Sequence, residues 1–239
     1  MPKTLVLDFD GVVVDSIDEC FYRTVDAYRC VMGELDLTEA FQSLFFKHRY
    51  LVGPPSDFFF LVEAILSYLN TESPTQDVKH LFDIKRHSGS TAKEDFTQKF
   101  RHAFYNSRRQ AIKNDDKAWC AQHRVFSNVL PILSQVSRLD TFIATMKDRE
   151  SVIKLIRYFN LDIIENNILG DDYGRDKSLH INEILRRTNV IPSDITFVDD
   201  NLEHLSEVRP LGVRLAFASW GYTKIDHPSY LTSMGIEIL

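Results

Sequence analysis

The chain has 239 residues, of which 44% are hydrophobic, 12% aromatic and 26% charged, a composition that fits one large or two smaller well-packed domains and excludes a disordered chain. Its formal net charge of -6 argues against bulk attraction to nucleic acid or to an anionic membrane surface, so neither partner is expected. Cys20, Cys30 and Cys120 form an odd set without metal-ligand spacing and read as reduced thiols, which suits a cytoplasmic protein. The first apolar run is interrupted by Asp8, and the longest later one, residues 58–66, contains Glu63. Neither a signal peptide nor a membrane span is therefore expected.

Leu5-Val6-Leu7 reads as a strand that runs straight into Asp8-Phe9-Asp10-Gly11. A strand points residues i and i+2 to one face, so Asp8 and Asp10 would emerge together where Gly11 lets the chain turn away. At about 4 Å and an effective dielectric of about 20, two ionised carboxylates repel by roughly 4 kcal/mol. A cation, a shared proton or divergence into water must offset that.

Helical spacing follows at Ile17, Phe21, Val25, Tyr28 and Met32, then at Phe58, Leu61, Val62, Ile65, Leu66 and Leu69, and again at Phe96, Phe100, Ala103 and Phe104. No strand is predicted between Ile17 and Trp119. Residues 17–118 therefore read as a helical insertion, broken at Gly53-Pro54-Pro55, at Ser73-Pro74 and at Ser88-Gly89-Ser90.

From Phe126 onward helices and strands alternate. Helices are predicted over 126–139, 149–159, after Lys177 and over 202–208, and strands over 141–144, near 168–169, over 195–198 and over 213–217. Such alternation predicts an α/β fold with a doubly wound parallel sheet. Asp148 and Asp176 are placed to cap helices. Thr145 and Asp199-Asp200 fall at strand ends and Lys177 at a helix start, the edge of an α/β sheet where ligands bind.

Taken in order, Asp8-Phe9-Asp10-Gly11-Val12-Val13-Val14-Asp15-Ser16, Thr145, Lys177 and Asp199-Asp200 resemble the four motifs of the haloacid dehalogenase superfamily. Gly170-Asp171-Asp172 before Lys177 and Trp220-Gly221-Tyr222 after the last motif add to the likeness. The type it resembles is the phosphatase with a helical cap after the first motif, the type of phosphoglycolate phosphatase and β-phosphoglucomutase. The resemblance implies a Rossmann-like catalytic core over residues 1–16 and 119–239 and an all-helical cap over 17–118.

It also implies a Mg²⁺-dependent phosphatase that acts on a small phosphorylated metabolite. Asp8 would be the nucleophile that forms an aspartyl-phosphate, and Asp10 the proton carrier. Thr145 and Lys177 would hold the phosphoryl oxygens with help from Gly11 and Met146, and Asp8, Asp10 through its carbonyl, Asp199 and Asp200 would hold the metal. The chemistry is coherent, because a hard, oxygen-rich cluster suits Mg²⁺ and an anionic nucleophile needs a cation to meet an anionic ester. Asp8 is expected to be held ionised by the metal and Lys177, with the pKa of Asp10 above it.

Two positions depart from the family pattern. Met146 stands where a small polar residue is common, so a phosphate contact there would come from its backbone N–H. His204 stands where an Asp is common, and is expected to lie behind the metal ligands at most, or else to be a surface or packing residue. In the cap, Lys47-His48-Arg49-Tyr50 and Arg101-His102-Tyr105 with Arg108-Arg109 are basic clusters that read as solvated helix surface. Arg49 is the candidate for reading a second anionic group on the substrate. Trp220 and Tyr222 would line the site mouth or pack beside it. The alternatives to a phosphatase are a phosphomutase of the same superfamily and a non-catalytic interaction protein. A receiver domain has its paired acids in the other order, and a dehalogenase lacks the acid at position 10.

Overall fold

The computed structural model describes residues 3–71, 76–87, 91–174, 176–223 and 228–239. The predicted breaks at Ser73-Pro74 and Ser88-Gly89-Ser90 lie outside the described residues. The chain divides into two compact units, residues 1–16 with 123–239, and residues 17–122.

The first unit contains eight described strands: β1 (Thr4–Leu7), β2 (Val14–Asp15), β3 (Arg124–Val125), β4 (Thr141–Ala144), β5 (Ile168–Leu169), β6 (Ile195–Asp199), β7 (Arg214–Phe217) and β8 (Ile236–Ile238). Six form one parallel sheet in the order β5-β4-β1-β6-β7-β8, while β2 and β3 pair antiparallel beside it. The chain leaves β1 for β4 on one side and later returns to β6 on the other, so β1 is the topological switch point, and the crevice outside its carboxyl end is where such sheets bind ligands.

The sheet is buried on both faces, which is why β1, β4 and β6 are almost unbroken apolar runs rather than alternating ones. One face packs Val6, Phe142, Ala144 and Phe197 against Ile181, Ile184, Leu205 and Val208.

The second unit is helical: α1 (Ile17–Met32), α2 (Glu39–Lys47), α3 (Asp57–Leu69), α4 (Val78–His87), α5 (Thr91–Asn114) and α6 (Asp116–Cys120). Its core is aromatic. Phe45 stacks on Phe58 at 5.5 Å and Phe58 on Phe104 at 5.7 Å, with Phe21, Phe41, Phe59 and Phe100 packed around them. Gly53-Pro54-Pro55 ends the turn after α2 and precedes α3, as its turn chemistry predicts. The return crossing was expected at Trp119. It falls after Gln122, because Trp119 is buried and its Nε1 donates to Glu19 at 3.2 Å, which ties α6 to α1.

Among the described residues of the first unit the helices are α7 (Val129–Leu133), α8 (Arg149–Tyr158), α9 (Lys177–Thr188), α10 (Leu202–Val208) and α11 (Pro228–Ser233). Asp148 and Asp176 cap α8 and α9, accepting from the amides of Ser151 and Ser178. The helix expected over 126–139 is cut to α7 and a 3-10 turn at Arg138–Asp140. The Ser134 hydroxyl donates to Pro131 O and the Ser137 hydroxyl accepts from Leu139 N, so serine side chains take up backbone groups that a continuing helix would use.

Candidate active site

The carboxyl ends of β1, β4 and β6 lie side by side, since Leu7 is in register with both Ile143 and Val198. The strand ends therefore bring three side chains to one place: Asp8, whose amide donates to Val198 O at 2.9 Å, Asp199 directly after Val198, and Thr145 just past the end of β4. All three are buried. Lys177, the first residue of α9, reaches the same place with no side-chain exposure, and its Nζ lies 2.6 Å from Ala144 O, 2.9 Å from Asp8 Oδ1 and 3.3 Å from Asp199 Oδ2. An ammonium has three protons, and here three acceptors meet them. Lys177 was expected to hold phosphoryl oxygens directly. Here it holds the two carboxylates beside that place.

Phe9 N donates to Asp8 Oδ1 at 2.7 Å, so that oxygen is fixed by Lys177 and the backbone together. Asp199 is held from every side: Asn201 N donates to Oδ1 at 2.8 Å, and His204 Nδ1 stands 3.0 Å from Oδ2. His204 is thus neither a surface nor a packing histidine. It lies on α10 one turn beyond Asp199, and one ligand atom each of Asp8, Asp199 and His204 lies within 4.8 Å of the others.

Asp200 sits in a notch made by two glycines. Tyr222 N donates to its Oδ2 at 2.6 Å, and a Cβ on Gly11 would lie 2.4 Å from that oxygen. A Cβ on Gly221 would lie 2.3 Å from Asp200 Cβ and 2.6 Å from Gly11 O. Gly11 is also at φ +92°, a conformation side chains disfavour, and its amide donates to Val14 O at 2.9 Å. That amide is thus taken up within the loop, and shape requires a glycine at this place. Tyr222 O–H stands 3.0 Å from Asp15 Oδ1 and accepts from Ser16 N at 2.7 Å, and Trp220 Nε1 donates to Val12 O at 3.1 Å. The 220–222 segment therefore braces the loop after β1 while also holding Asp200.

Electrostatics divides these acids. Burial raises the Asp8 carboxyl above the usual carboxylate range, because it and the charge of Asp199 outweigh Lys177. Burial also opposes ionisation of Asp199, but Lys177 and His204 together hold it below its ordinary value. Burial works against charge on Lys177 and His204 too, yet the carboxylates keep both pKa values raised. Asp8, Asp199 and Asp200 offer hard oxygen donors, and a bound divalent cation would offset the burial that opposes charge on Asp8, so the residues fit one.

Sequence reasoning missed Lys147. Its side chain is 1% exposed, and Nζ lies 3.2 and 3.4 Å from the two carboxylate oxygens of Asp10. Its amide donates to Thr145 Oγ1 at 3.1 Å. A Lys two residues past Thr145 was visible, but not that it would turn inward. Met146 is half-buried beside it.

In the helical unit, Arg49 donates to Val52 O at 2.8 Å and lies over the Phe58 ring at 5.1 Å. Arg108 was read as solvated. It is buried and doubly bonded to the fully buried Glu19, with Nε and Nη2 each 2.8 Å from a carboxylate oxygen. His102 and Arg109 are exposed as expected.

Solved structures share this fold at low identity. A haloacid dehalogenase-like family hydrolase from Streptococcus pneumoniae is 14% identical, with 98% of this chain and 92% of that one covered and a TM-score of 0.60. A predicted phosphoglycolate phosphatase from Haemophilus somnus is 16% identical, with 99% and 93% covered and a TM-score of 0.62. A predicted phosphatase from Clostridium acetobutylicum is 15% identical, with 100% and 93% covered and a TM-score of 0.58. No curated protein matches the chain in sequence. Among the described residues no helix is long and apolar enough to cross a membrane. Residues 60–218, more than half of the chain and including Thr145, Lys177, Asp199 and Asp200, match the haloacid dehalogenase-like hydrolases, and the chain belongs to that family.

Proposed function

We propose that the chain is a phosphatase that cleaves a small-molecule phosphate monoester with Mg²⁺, through an aspartyl-phosphate on Asp8. The observation that carries this reading is the meeting of Asp8 with Thr145, Lys177 and Asp199 at the carboxyl edge of β1, β4 and β6, with Asp10 two residues on and faced by Lys147. The relatives described as phosphatases support it.

Asp8, Asp199 and Asp200, with the Asp10 carbonyl, would hold the Mg²⁺ ion, and Lys177 and His204 would flank Asp199 beside them. Bound there, the ion supplies charge that lets an anionic nucleophile approach an anionic ester. Asp8 Oδ attacks phosphorus, the bond from phosphorus to the alcohol oxygen breaks, and Asp10 gives that oxygen its proton. Asp10 then takes a proton from the water that attacks phosphorus, and the bond to Asp8 breaks. Lys147 N–H occupies a lone pair of Thr145 Oγ1, which turns the hydroxyl proton outward as a donor for a phosphoryl oxygen.

The test is a panel of aryl, sugar, nucleotide and small-acid phosphates assayed with Mg²⁺ and with chelator. Turnover that needs Mg²⁺ and vanishes in Asp8→Asn supports the reading. Full turnover in chelator or in Asp8→Asn removes it.

A further inference from the structure

We infer that Lys147 is a positioning residue that fixes the Asp10 carboxylate for proton transfer. The inference rests on the proposed phosphatase reading, in which Asp10 carries the proton. Four observations lead to it. The side chain is 1% exposed, so its ammonium does not reach out to a substrate's distal group. Nζ faces both oxygens of Asp10, at 3.2 and 3.4 Å, a contact that restricts rotation of the carboxylate about its last torsion. The backbone of Lys147 is held at both ends: its amide donates to Thr145 Oγ1 at 3.1 Å, and its carbonyl accepts from Asp171 N at 3.3 Å. The turn closed by the Thr145 hydroxyl aims the side chain toward the loop after β1. Finally, Lys177 serves Asp8 and Asp199, so the two acids of the first loop are held by different lysines.

A proton carrier must keep one oxygen aimed at the leaving group and then at water. A carboxylate free to rotate would lose that aim, and a misplacement of about 1 Å costs on the order of 10²-fold in rate. Leaving groups that need protonation would feel that loss, whereas an aryl alcohol departs largely without help. Lys147 is therefore expected to show its effect through Asp10 and through the identity of the leaving group.

The experiment uses the full chain with Mg²⁺ and compares p-nitrophenyl phosphate with a simple alkyl phosphate. Wild-type turnover of both, lost in Asp8→Asn, establishes the phosphatase reading first. No wild-type turnover of any phosphate overturns that reading and the role of Lys147 with it. Given turnover, Lys147→Met should lower kcat for the alkyl ester on the order of 10²-fold. The aryl ester should lose only several-fold. Asp10→Asn added to Lys147→Met should cost little more, since both variants disable one function. Lys147→Arg, which restores a cation, should recover part of the alkyl turnover. Equal losses on both esters, or losses that multiply with those of Asp10→Asn, overturn the inference while leaving the phosphatase reading intact. If Lys147→Met does not fold, Lys147→Arg carries the comparison: an alkyl-selective loss supports the role, and an equal loss refutes it.

Discussion

Arg108→Met removes one partner of a buried ion pair and leaves the other in place. Glu19 has no side-chain exposure, and it accepts from Arg108 Nε and Nη2 and from Trp119 Nε1, so the pair joins α1, α5 and α6. Breaking a buried pair by removing one partner costs about 3 to 5 kcal/mol, because the remaining charge is left without its counterion. Loss of the guanidinium over the Phe104 ring, at 5.1 Å, adds about 0.5 to 1 kcal/mol. Methionine keeps the apolar stem, so these electrostatic losses should dominate. With a urea slope of about 2 kcal/mol/M, the unfolding midpoint of the helical unit should fall by about 2 M. Trp119 reports that unit directly when the chain's other tryptophan is removed by Trp220→Phe. The second arm replaces both partners, Glu19→Leu with Arg108→Met. Replacing a buried pair by apolar residues is often neutral, so most of the stability should return. A midpoint shift below about 0.5 M in the single variant refutes the reasoning, since that is about 1 kcal/mol. A double variant as unstable as the single one would show that packing, and not the stranded charge, sets the loss.

Two further outcomes follow from the core. Gly221→Ala places a Cβ against Asp200 Cβ and Gly11 O, and should cost about 1 to 3 kcal/mol and displace Asp200, lowering turnover. Gly53→Ala, whose nearest contact would be Asp57 Oδ2 at 3.6 Å, should be nearly silent in the same urea and kinetic assays, and equal effects would contradict the clash. His180 is fully buried, and burial followed by the charge of Lys177 lowers its pKa from 6.5 to about 4. The unfolded chain thus takes up a proton below pH 6.5 that the fold refuses until about pH 4. Its contribution is full above that window and falls away as pH drops through it, by about 3 kcal/mol. His180→Leu should flatten that part of the stability curve, and an unchanged slope contradicts the assignment.

The sheet was legible because burial on both faces turns β1, β4 and β6 into short apolar runs, each ending in a polar residue that has a use. The helices α1 and α3 were legible from apolar spacing, and the starts of α8 and α9 from their capping acids Asp148 and Asp176. β8 was not, since Ile236-Glu237-Ile238 is three residues long, nor was the pair β2 with β3, two residues each. What local pattern cannot show is which charged residues turn inward. Arg108 meets Glu19 across 89 positions and Lys147 meets Asp10 across 137, and both lysine and arginine look like solvated surface until their partners arrive. His204 was discounted because it stands where an acid was expected, although it lies in the first turn of α10, which starts just past the end of β6. Arg49, the candidate for a second anionic group, donates to Val52 O and lies over Phe58 within its own unit, contacts that no local pattern showed.

The most direct test of the account is the stereochemical course at phosphorus. A phosphate monoester made chiral with oxygen isotopes and sulfur is hydrolysed by the wild-type chain in isotopically labelled water. Attack by Asp8 followed by attack of water is two in-line displacements, so the account predicts net retention of configuration at phosphorus. Net inversion would mean a single displacement by water, and would contradict the aspartyl-phosphate on Asp8.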